Sequence, residues 1–291
     1  MMTLYDAVFA PFIEFGFMRR ALAGCIALSF GAAPIGVFLM LRRMSLIGDA
    51  MAHAILPGAA IGYLVAGFSL GAMTLGGLIA GFAVAVLAGV VARTTTLKED
   101  TALAAFYIIS LAAGVVLLSA RGSNVDVLRV LFGSVLALDD ATLVLMTAAA
   151  SLTLAGLALI ARPLIMEFVD SGFLATVSRA GGVVHLMFLG LAALNLVASF
   201  HALGTLLAVG IMILPAASAR LWTHSLLTLF VAAIAIAIAS CITGLILSYH
   251  LSLATGPAII LVAGAVYILS LLVGAAGGAL LPLLPRRHLE A

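Results

Sequence analysis

Asp49 and His53 stand four residues apart in the stretch RRMSLIGDAMAHAILPG, residues 42–58. On a helix that spacing puts a carboxylate and an imidazole on one face, one turn apart. Pro57 follows His53 by another four residues. It has no N–H, so the carbonyl of His53 loses its helical partner. A carboxylate, an imidazole and a freed carbonyl together suit a cation. The same pair also suits a proton relay, or a buried link that only ties helices together. The residues alone leave these three open.

The elements that must hold this pair follow from composition. Of 291 residues, 65% are hydrophobic and 8% charged, with a mean hydropathy of +1.36 and a net charge of +2. Soluble domains carry about 25% charged residues. A soluble globular enzyme, a disordered chain and a fibre are therefore excluded. The apolar runs are long and continuous, without the alternation of a membrane barrel. The expected fold is all-α, a polytopic transmembrane helix bundle forming one membrane domain over 1–291. Nine spans are expected, near 21–41, 50–67, 71–92, 102–119, 141–161, 183–200, 203–220, 226–248 and 257–281. The break between the sixth and seventh rests on Phe200, His201 and Gly204; without it there are eight. No cleavable signal is evident, because Asp6 and Glu14 precede the first arginines.

Orientation follows from the basic residues. Arg42, Arg43, Arg93, Lys98, Arg162, Arg179, Arg220, Arg286 and Arg287 fall on one side; Arg19, Arg20, Arg121 and Arg129 fall on the other. The richer side is the cytoplasm, which puts the N-terminus outside and the C-terminus inside. A ~1.5 Å rise per residue from Arg43 carries His53 about 15 Å into the membrane. Asp49 lies nearer the cytoplasm. Charge at such depth is a functional hypothesis by default.

Two connections are longer than packing requires. The outer one, 121–140, contains an apolar stretch, 125–138, that suits a short helix re-entering or lying on the bundle. In the inner one Pro163 is expected to end a helix, and 168–180 reads as a short amphipathic piece, either an interfacial linker or a docking surface. His201 and His250 fall at outer helix ends and suit an entry site for a borderline cation, or simple helix-end polarity. His185, His224 and His288 carry a weaker functional signal. Pro215 interrupts the seventh span and is followed by small residues, which suit close packing or a moving gate. Cys25 and Cys241 lie in apolar runs and form no metal or disulfide pattern. There is no G-x-x-x-x-G-K-[ST], no H-E-x-x-H and no catalytic cluster, so ATP hydrolysis and metalloprotease chemistry are not expected on this chain.

The 42–58 stretch closely resembles the second-span signature of the metal-ion ABC permeases, the integral-membrane subunits of zinc and manganese importers. NVDVLRVLFGSVLAL, LGTLLAVGIMILPAASARLW and LATGPAIILVAGAVYILSLL resemble three further segments of that family, in order, over essentially the whole chain. The resemblance implies a fold like that of metal and cobalamin ABC importer permeases. It implies a multi-pass protein of the bacterial cell membrane that imports transition-metal ions. It also implies a cytoplasmic ABC ATPase, an external metal-binding protein and a second permease copy as partners, besides membrane lipid and with no nucleic acid. Asp49 and His53 match the family's polar pair in the path. By position 168–180, with Phe168, Asp170, Phe173 and Leu174, matches its coupling helix. His201 stands where the family often carries an uncharged polar residue. Histidines at 53, 201 and 250 beside a single deep carboxylate favour transported zinc, with manganese and then iron as alternatives; no permanently bound cofactor is expected.

Overall fold

The computed structural model describes residues 9–42, 44, 46–67, 69–97, 99–120, 135–169 and 181–279. Its helices are α1 (Ala10–Glu14), α2 (Gly16–Leu41), α3 (Leu46–Ala54), α4 (Leu56–Ala66), α5 (Leu70–Thr94), α6 (Glu99–Ala120), α7 (Asp140–Val169), α8 (Gly181–Arg220), α9 (Leu226–Leu251) and α10 (Thr255–Val273). A single 3-10 turn, Val135–Ala137, precedes α7. Nine stretches among the described residues are long and apolar enough to cross a membrane, with α3 and α4 sharing one and α8 supplying two. The expected all-α bundle is observed, with nine spans rather than eight.

The two spans of α8 are Gly181–Phe200 and Leu203–Arg220. A straight helix of that combined length would run about 60 Å, twice the ~30 Å hydrocarbon. Its contacts show that it doubles back. In the first limb His185 meets Arg42 at the end of α2, and Asn195 lies against Gly31, further back along α2. In the second limb Met212 lies against Gly36, nearer Arg42 again. The reversal is at Gly204, whose φ of 76° and ψ of 164° leave the helix. A side chain there would be strained, so glycine suits the turn.

The core is α2 with both limbs of α8. The α2 span is 78% buried and the limbs 67% and 61%, against 17% for the α6 span. The outer helices turn apolar side chains outward, as lipid contact allows. Several polar groups inside the core are paired, whereas the buried Ser240 hydroxyl of α9 has no partner. Asn195 donates to the Thr153 hydroxyl, and also to the Leu191 carbonyl at 3.1 Å, which ties α7 to α8. Ser29 donates to the Cys25 carbonyl at 2.8 Å and lies 3.9 Å from the Cys241 sulfur. Both cysteines are free and buried, as packing residues should be. Helices α4 and α5 meet through small residues: Gly58 against the Gly76 carbonyl and Gly62 against the Ala72 carbonyl.

Several expected boundaries are corrected. Pro163 does not end its helix; α7 continues through it to Val169. One backbone bond is lost there, but the apolar run beyond it stays helical and fully buries Leu164. Residues 170–180, which include Asp170, Phe173 and Leu174, lie outside the described residues, while Phe168 falls in the last turn of α7. The last span stops at Val273 rather than 281. There Gly274 caps the helix, and Ala276 donates its N–H to the Leu221 carbonyl at 2.8 Å. The first span begins at Gly16, ahead of Arg19 and Arg20. Pro215 leaves its helix unbroken to Arg220. Of the outer stretch 125–138, residues 125–134 lie outside the described residues. Val135 and Leu138 are buried against the bundle, with Leu138 packed against Gly24.

The helix ends pair as the nine-span alternation requires. Arg20 near the start of α2 meets Asp140 at 3.3 Å, and Phe15 meets Tyr249 at the end of α9. At the other end of α2, Arg42 contacts His185 and lies 4.0 Å from Glu167. Asp139 caps α7 by accepting the Thr142 N–H at 2.9 Å. Hydrogen bonds from Thr142 hold its carboxyl below the usual range, with a small further push from Arg20.

Two outcomes follow. A cysteine at Asp140 should react with an impermeant maleimide on intact cells, and one at Thr223 only after permeabilisation; the buried native cysteines should stay silent. The reverse pattern would invert the topology. Asp139→Ala should cost about 1 kcal/mol at neutral pH. Because the folded-state pKa of Asp139 is lowered, its contribution is present at neutral pH and lost as pH falls through that lowered value. Thermal melts in detergent should therefore show the gap between wild type and variant closing in acid.

Candidate functional site

The second span is divided at Pro57 into α3 and α4: Ile55 keeps helical dihedrals and bonds back to Met51, and the helical ladder lacks the bond that Pro57 has no N–H to make. Pro57 cannot donate to the His53 carbonyl. The neighbouring Ala54 carbonyl accepts a bond from the Ser110 hydroxyl of α6, at 3.0 Å. This is the kind of side-chain compensation that lets a proline break persist in a membrane. Helix α6 comes close enough to do so because of Gly114. A Cβ there would lie 3.1 Å from the Pro57 nitrogen and 3.3 Å from its Cα.

On α3, His53 Nε2 points at Asp49 Oδ1 across 3.7 Å. The imidazole lies beside the Tyr107 ring of α6, with centroids 6.0 Å apart and planes 28° from parallel. Its other nitrogen, Nδ1, is buried without a hydrogen-bond partner. An unpartnered nitrogen in a buried imidazole is costly unless something else uses its lone pair. Asp49 is 56% exposed and His53 23%. Asp49 opens onto a cavity of about 140 Å³ between α3 and α6, lined also by Ala50, Asp100, Leu103, Ala104 and Tyr107. Because α3 starts at Leu46 rather than Arg43, His53 lies only about 10 Å along it. The pair sits nearer the cytoplasmic end of the span than the expected ~15 Å.

His250 is exposed at the end of α9, edge-on to Tyr249 at 5.2 Å. Helix α9 packs on α2, α8 and α10, while α3 packs on α6, α8 and α5. His201 is helical, one turn before Gly204. Among the described residues no three His, Cys, Asp or Glu side chains gather into one metal-holding group. Asp100 and Tyr107, which share the cavity with Asp49, are not among the expected site residues. Their seven-residue spacing, two helical turns, is the signal the sequence offers. His185, with its weaker sequence signal, is buried on Arg42.

The sequence profile of the ABC 3 transport family matches residues 14–274. The chain belongs to that family. It is 33% identical over 265 residues to the manganese transport system membrane protein MntC of Listeria innocua, covering 89% of this chain and 91% of that one. It is 29% identical over 268 residues to a probable iron transport system membrane protein of Haemophilus influenzae, covering 92% and 97%. Among solved structures, PsaBC from Streptococcus pneumoniae in complex with Fab superposes with a TM-score of 0.83 at 26% identity, covering 96% of this chain and 99% of that one. This ABC 3 chain is thus a multi-pass permease of the cell membrane.

The packing at the helix break gives a direct test. In the ABC 3 permease, Gly114→Val would push on Pro57 backbone rather than on a flexible side chain, and overpacking of this kind costs about 1–3 kcal/mol. Gly89→Val is the control, since a Cβ there meets nothing within 4 Å. Melting temperatures in detergent should fall for the first and hold for the second; equal melting of both would contradict the close approach.

Proposed function

We propose that this permease carries manganese ions inward through an ATP-driven importer, with Asp49 and His53 touching the ion. The observation that carries the proposal is the His53 imidazole: Nε2 toward a carboxylate, Nδ1 buried with no partner. Nε2 and the Asp49 carboxylate face each other across 3.7 Å, beyond hydrogen-bonding reach, so both can contact one cation lying between them. Relatives named for manganese and iron support a transition-metal cargo. The expected preference for zinc gives way here, since it counted one deep carboxylate, and Asp100 adds a second to the same cavity. Oxygen-rich surroundings favour manganese over zinc. Iron is the second reading, carried by the Haemophilus influenzae relative.

The likeness to ABC importers also supports ATP hydrolysis on separate cytoplasmic subunits, delivery by an external metal-binding protein, and pairing with a second permease copy. Residues 168–180 are proposed to engage the ATPase. His201 and His250 are proposed as outer contacts for the entering ion, where hydration can replace them.

Asp49→Asn and His53→Ala should each abolish manganese uptake while membrane yield and ATPase binding hold. A purely structural pair behaves differently: removing one partner lowers stability and shows as lost folded protein. Folded yield and uptake measured on the same membranes separate the two. Well-folded variants importing at the wild-type rate would remove both residues from the path.

A further inference from the structure

The cavity between α3 and α6 holds two carboxylates, and only Asp49 has a role so far. Asp100 stands on the opposite wall, in the first turn of α6, with Leu103, Ala104 and Tyr107 following along the same helix. From Asp100 to Tyr107 is about 10 Å of helix. Tyr107, the ring beside His53, lines the cavity together with Asp49 and Asp100, so the cavity joins the two carboxylates next to the imidazole. Its volume of about 140 Å³ has room for several waters, and so for a hydrated ion. Asp49, His53 and Asp100 do not converge on one point. They are therefore arranged for successive contacts.

We propose that Asp100 is a second station for the transported divalent cation, taking it from Asp49 and His53 and releasing it to cytoplasmic water. The proposal rests on the assignment of Asp49 and His53 to the path. A carboxylate in the first turn of a helix is also favoured by the helix dipole alone. Asparagine separates the two roles, because it remains a good helix-start residue but carries no charge for the ion. A release station governs how fast the ion leaves, and so acts on the maximal rate rather than on the concentration dependence.

The test uses the whole importer in proteoliposomes, with its ATPase and binding protein, and manganese as the probe. Asp100→Asn should lower the maximal uptake rate about tenfold with a half-saturating concentration within about twofold of wild type. Asp100→Glu should restore most of the rate. Ala104→Phe, which fills the cavity without changing charge, should slow uptake similarly and serves if Asp100→Asn fails to fold. Loss of uptake in Asp49→Asn together with a wild-type maximal rate in Asp100→Asn or Ala104→Phe would overturn the second station and leave the first intact. Wild-type uptake in Asp49→Asn would instead overturn the path assignment itself.

Discussion

Hydrocarbon offers the backbone no hydrogen-bond partners, so every amide inside the bilayer must be paired within the protein. Most of this chain meets that demand with continuous helix. It departs at two places that organise everything else. At Gly204 the backbone leaves the helix and α8 folds into a hairpin around α2. At Pro57 the second span is divided, and α6 supplies the Ser110 hydroxyl and a close glycine. The second break fixes where α3 ends, and so where Asp49 and His53 sit. Straightening it would move the imidazole relative to Tyr107.

Charge is kept at the helix ends with one exception. Arg20 with Asp140 and Arg42 with Glu167 and His185 lie at opposite ends of α2. The inner cluster gathers the end of α2, the end of α7 and the start of α8, immediately before the chain enters α3. A burial cost for Arg42 and Glu167 is offset by the partners they give each other. The exception is the cavity between α3 and α6, where two carboxylates line a space large enough for water and the His53 imidazole stacks on the Tyr107 ring in its wall.

The bundle, its span count and the Asp49–His53 pair were legible because each rests on local pattern: long apolar runs, four-residue spacing, a proline at a fixed offset. Pro163 was misread as a stop because the sequence rule for proline describes helices in water, and apolar surroundings hold α7 together past it. The last span was overextended because Gly274, Gly277 and Gly278 count as apolar in a composition window yet form a turn. Nothing local in the sequence ties Asp100 to Asp49; only the packing of α6 on α3 joins them. Leaving Asp100 out also tilted the metal preference toward zinc. Buried His185 was missed for the same reason, since its partner Arg42 belongs to another helix.

The central claim is that His53 gives the transported ion a nitrogen ligand. Electron spin echo envelope modulation of manganese bound to the permease–ATPase complex, with the external binding protein left out, reads nitrogen at the ion directly. Coupling to one imidazole nitrogen is predicted in the wild-type protein, and its disappearance in His53→Ala. Manganese surrounded only by oxygen in the wild type, or a nitrogen signal that survives in His53→Ala, would contradict the account.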